Sequence, residues 1–172
     1  AASTPPTTVP FQHFAVAAVF LVVGVALGGV NELVSGLALV HLAQVHALFV
    51  GFVCLTIMGA MIQFVPVWSG TRLYSEELSR LSLWLVIVGV SGIVAVFLTR
   101  AYAWFPLTAG VLLVGFWTFA YVVVRTLPPL GQWDITEAHF LVAITALVIA
   151  TLFGWLLATD VAYRILDSLP VT

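Results

Sequence analysis

The sequence predicts an all-α protein, a polytopic transmembrane helix bundle of about five spans forming one domain over residues 1–172. Three observations predict it. Hydrophobic residues make up 63% of the chain. Charged residues make up only 7%, against about a quarter in an ordinary soluble domain. The apolar residues also gather into five runs, each close to the ~20 residues that cross a hydrocarbon core ~30 Å thick. Five cations and seven acids cannot clothe a soluble fold of this length, so the apolar exterior faces membrane lipids or other protein.

The first run, Phe14 to Val30, is closed by Asn31-Glu32 and carries Gly24-xxx-Gly28, a small-residue face for close helix packing. The stretch before it, Ala1 to Pro10, has no positive charge. A secretory signal needs one, so this first run is expected to stay in the mature protein. The second run, Leu37 to Val65, ends at Pro66 and the Trp68-Ser69-Gly70 turn, and its length predicts tilt or projection. The third, Leu81 to Leu98, lies between Arg80 and Arg100. The fourth, Tyr102 to Val124, stops at Arg125 and Pro128-Pro129, and the fifth runs from Thr136 to Ala158. Beyond Asp160, Val161 to Leu166 reads as a short interfacial helix. Trp68, Tyr74, Tyr102, Trp104, Trp133 and Tyr163 fall near run ends, where amphipathic rings prefer to sit.

Composition also removes function classes. The cations Arg72, Arg80, Arg100, Arg125 and Arg164 are scattered and there is no Lys, so no basic patch exists to neutralise nucleic-acid phosphates. The single Cys54 offers neither a disulfide framework nor a thiolate metal site. No phosphate-binding glycine loop, nucleophile elbow or HExxH run occurs. Glu32, Glu76, Glu77, Asp160 and Asp167 fall at run ends or in loops, so no carboxylate marks an ion path. A channel would have only scattered Ser, Thr and Gln to line it.

Four histidines remain as candidate cofactor ligands. His13 opens the first run and His139 the fifth, which puts both near one membrane face, while His41 and His46 lie in the early part of the second run, near the other. His13 beside Gln12 reads as an interfacial residue. His41 reads as a helix-start hydrogen-bonding group, and His139, after Asp134 and Glu137, as a solvated residue of a capped helix start. His46 stands apart. It lies roughly 12–14 Å into its helix from Leu37 and is followed by an uncharged stretch. A buried imidazole there needs a partner. His41 is five residues earlier, about 140° around the helix, so the two do not form a chelating pair.

The second run reads His46-Ala47-Leu48-Phe49-Val50-Gly51-Phe52, then Gly59, then Pro66-Val67-Trp68-Ser69-Gly70. This pattern of His, spaced glycines and a Pro-x-Trp-Ser-Gly exit resembles the NnrS-like membrane proteins, and the second helix of haem-copper oxidase subunit I and its relatives. The resemblance covers about 25 residues; the rest matches as hydropathy alone. It implies that His46 is an axial ligand of a b-type haem, with Gly51 and Gly59 leaving room for a ring or another helix. It also implies a prokaryotic cell membrane and a role in respiratory electron transfer or nitrogen-oxide handling. Trp68, Phe52 and Phe64 are then pocket or interface residues. The adjacent histidine pair and late helices that hold copper and the oxygen-reducing haem in the oxidases are missing, so copper has no ligand set here. The five runs resemble the first portion of the oxidase scaffold, so either the chain is a fragment of a longer protein or another membrane subunit or a second copy supplies the second haem ligand, unless His13 and His139 together clamp a haem. The alternative is a non-catalytic transmembrane subunit that scaffolds a larger complex.

Overall fold

The computed structural model describes residues 7–34, 38–129, 131 and 133–165, and among these there is no β-strand. Helix α1 spans Thr8–Leu33 and α2 Ala38–His46; a π-helical segment, Ala47–Cys54, leads directly into α3, Leu55–Trp68. Helix α4 spans Glu76–Thr99; a 3₁₀ turn, Tyr102–Trp104, precedes α5, Phe105–Thr126, and α6 spans Ile135–Tyr163. With α2, the π segment and α3 read as one rod, five helices are long and apolar enough to cross a membrane.

Helix ends explain where the spans depart from the apolar runs. α1 starts six residues before the run does, because Pro10 lies in its first turn, where a missing N–H costs nothing. It then continues through Asn31 and Glu32. α4 starts at Glu76, capped by Ser75, whose side chain accepts from the Leu78 N–H. Arg80 therefore lies inside the helix, 3.2 Å from Glu76, rather than bounding it. α3 closes at Gly70, whose φ of +62° only glycine adopts without strain. The Ser69 N–H makes the last i→i−4 bond, to Val65 at 3.0 Å, and the Thr71 N–H reaches back to the Pro66 carbonyl at 3.0 Å, the long bond of a Schellman-type closure. α6 opens on a capping box between Asp134 and Glu137. Its last turn absorbs Val161 to Tyr163, so the expected separate interfacial helix is the end of α6, with Leu166 outside the described residues.

The helices pack in series. α1 lies along α2, the π segment and α3; the α2 and π stretch meets α4; α4 and α5 share the closest interface; α6 lies on α5 and the 3₁₀ turn. α1 and α6 share no packed interface among the described residues. Glycines make these contacts close. A methyl at Gly28 would sit 2.5 Å from the Gln44 amide, and one at Gly24 would collide with Leu48. The expected small-residue face thus packs α1 on the second span. At Gly89 the neighbour is the Leu112 backbone, 2.7 Å from such a methyl. One end of the bundle (the near end) holds the starts of α1, α4 and α6 and the ends of α3 and α5. There the Thr71 hydroxyl donates to the Thr126 carbonyl and the Ser69 hydroxyl to Glu137. At the far end the Trp155 indole donates to the Pro106 carbonyl.

Candidate functional site

Three of the four histidines use one device. A helical side chain points back toward the preceding turn, so a ring nitrogen meets the carbonyl four residues earlier. Nδ1 lies 2.9 Å from the Val9 oxygen in His13, 2.8 Å from that of Leu42 in His46, and 2.5 Å from that of Ile135 in His139. A carbonyl only accepts, so Nδ1 carries the proton and Nε2 of the neutral ring carries a lone pair. This is also how metal-bound imidazoles are oriented, with the remote N–H on a carbonyl. The device by itself marks none of them as a ligand; the surroundings of each Nε2 distinguish them.

His13 is fully buried, and its Nε2 has no hydrogen-bond partner among the described residues. The interfacial placement expected for it is thus replaced by a sealed one. Gly59 allows this, since its own methyl would lie 2.9 Å from His13 Cβ and 3.1 Å from the Pro10 carbonyl. α1 and α3 therefore close on each other around His13. His139 is exposed near the start of α6. With α1 and α6 lacking a packed interface, the helices do not bring His13 and His139 together across one. His41 is exposed on α2.

His46 is half-buried, where the sequence suggests a deep and enclosed ring. Its imidazole lies against Phe97, with ring centroids 5.1 Å apart and planes tilted by 50°. Phe97 in turn meets Phe105 edge-on at 5.2 Å. Phe97 belongs to the last turn of α4 and Phe105 begins α5, so His46 stands level with the far-end interface. The sequence missed this because the second span begins outside that level. His46 is also the last residue before the π segment, a wide-turn irregularity often found at functional positions.

The donor chemistry at His46 fits haem ligation, with Nδ1–H held by Leu42 and a lone pair on a half-exposed ring. The spaced glycines do not provide a porphyrin slot. The space at Gly51 is taken by Phe20 and that at Gly59 by His13 and Pro10, so α1 fills both. A haem on His46 would lie on the outer edge of these helices. Phe64 and Trp68 are each 64% exposed and Phe52 is half-buried against the core. Among the described residues no three His, Cys, Asp or Glu side chains gather as a metal site.

Two clusters were not picked out from the sequence. Glu137 is buried and ties the end of α3 to the start of α6, accepting from Ser69 Oγ at 3.0 Å and from the Asp134 N–H at 3.1 Å. Arg125 lies over the Tyr74 ring, 4.8 Å from its centroid, and 5.8 Å from that of Tyr121. Only the capping-box spacing of Asp134 and Glu137 signalled either one. Comparison with family models, curated proteins and solved structures gave no match.

Proposed function

We propose that this chain is a haem-binding subunit of a prokaryotic cell membrane, related to haem-copper oxidase subunit I and serving respiratory electron transfer or nitrogen-oxide handling. The observation that carries the reading is the state of His46: proton on Nδ1, donated to Leu42, with the Nε2 lone pair on a half-exposed ring steadied by Phe97. His46 is the iron ligand. The Leu42 carbonyl fixes its tautomer, and Phe97 packs against the ring. A bound haem supplies one-electron redox chemistry. A second protein ligand, where one is used, would come from another membrane subunit, a second copy of the chain or further helices of a longer chain.

The test is the absorption spectrum of detergent-purified protein, oxidised and reduced. The expected result is a Soret band lost in His46→Ala and kept in His41→Ala and His139→Ala. A colourless preparation from cells supplied with haem, or a spectrum unchanged in His46→Ala, overturns the reading. One observation favours a second reading, a non-catalytic scaffold: both glycine spaces are closed by α1. On that reading the protein purifies colourless with partner chains attached.

A further inference from the structure

A trough of about 340 Å³ lies on the outside of α4 and α5, lined by Leu78, Val114, Trp117, Thr118 and Tyr121. Four of these five belong to α5 and repeat at helical spacing, so the trough follows that helix axis. From Val114 to Tyr121 its lining covers about 10 Å of that axis. Its walls are apolar to a visitor, because their polar atoms are already used. The Thr118 hydroxyl donates to the Val114 carbonyl at 2.7 Å, the Trp117 indole to Thr151 at 3.2 Å, and the Tyr121 and Tyr74 hydroxyls lie 3.4 Å apart.

The near-end mouth differs in kind. Arg125 stands there one turn beyond Tyr121, with its guanidinium over the Tyr74 ring and no carboxylate ion pair among the described residues. Of the near-end acids, Glu76 is held by Arg80 at 3.2 Å and Glu137 accepts from the Ser69 hydroxyl at 3.0 Å. A guanidinium oriented by aromatic faces keeps its N–H edges available for planar recognition of phosphate.

We infer that this trough is a binding site for an anionic phospholipid, with the phosphate on Arg125 and one acyl chain lying along Tyr121, Thr118, Trp117 and Val114. The charge of the mouth and the dryness of the walls select this occupant. The site is independent of the haem reading, since His46 lies level with the opposite end.

Native mass spectrometry of the detergent-purified chain tests it, titrating phosphatidylglycerol against phosphatidylcholine of the same chain length. The expected result is one tightly held phosphatidylglycerol per chain. Arg125→Gln should weaken it roughly fivefold, the effect of one interfacial cation on an anionic lipid, while Arg125→Lys retains most of the preference. Thr118→Phe, which fills the trough, should weaken both lipids. Equal retention of the two lipids by the wild type, or an Arg125→Gln variant with unchanged thermal stability and unchanged phosphatidylglycerol affinity, overturns the proposal.

Discussion

Among single residues, the histidines and glycines show how far side-chain identity carries without its neighbours. The sequence ranks His46 above the other histidines as a buried ring, and the ring is half-exposed. It places His13 at an interface, yet His13 is sealed. Its burial depends on Gly59, forty-six positions away, and no local pattern announces that pairing. The glycines likewise look alike in the sequence and differ in space. At Gly89 a methyl would meet the Leu112 Cα and N at 2.7 Å, and backbone cannot rotate away. At Gly154 nothing lies within 4 Å. Gly89→Ala should therefore destabilise the α4–α5 interface by about 1–3 kcal/mol. Gly154→Ala should be neutral or stabilising by up to about 1 kcal/mol, since alanine restricts the unfolded chain and favours helix. Reversible unfolding in mixed micelles reads both, and equal effects would contradict the packing described.

For whole elements, hydropathy located all five spans and erred at their ends, because ends are set by caps rather than by apolar content. Ser75 and Asp134 carry capping oxygens whose use depends on backbone angles, and Pro10 is allowed inside α1 only because it falls in the first turn. The π segment after His46 had no visible signal: Ala47 to Cys54 is an apolar run like any other. Part of the motif behind the oxidase resemblance also has a local structural explanation, since Gly70 closes α3 and Ser69 binds Glu137. The α6 cap makes a pH prediction. Hydrogen bonding with the Glu137 side chain first, and with the Thr136 N–H second, holds the Asp134 carboxyl below its ordinary value of 3.8. A depressed carboxylate contributes fully above that ordinary value, and its contribution fades as pH falls through the lower folded one. Hydrogen-exchange protection of the Thr136 and Glu137 amides, corrected for intrinsic rates, should stay flat from neutrality to pH 3.8 and fall only below it. Asp134→Ala should lack that protection at every pH, and Asp134→Asn should keep it without the acid loss. A midpoint above 3.8 in the wild type would show that the carboxylate is not stabilised as described.

Taken as a whole molecule, serial packing leaves much apolar surface uncovered. Only 6% of the most apolar stretch of α6 is buried, against 50% for α4, and Val142, Phe153 and Leu157 on α6 are each more than half exposed. In water such a surface would drive aggregation; in a bilayer it is the surface lipid requires, and association there depends on close packing rather than apolarity. The same arrangement fixes which loops share a face. Three near-end contacts, Ser69 to Glu137, Thr71 to Thr126 and the Tyr74 N–H to Thr126, hold the 69–75 turn between the end of α5 and the start of α6, and five crossings put the two ends of every span on opposite sides. In a Cys54→Ala background, single cysteines at Arg72 and Gly131 should react with an impermeant maleimide from one side of sealed vesicles. Cysteines at Glu32 and Tyr163 should react only from the other, or only after permeabilisation. Labelling of Arg72→Cys and Glu32→Cys from the same side would mean that the second rod does not cross. Its half-buried histidine would then lie outside the bilayer, in water, with no reason to be shielded by lipid or by a haem plane.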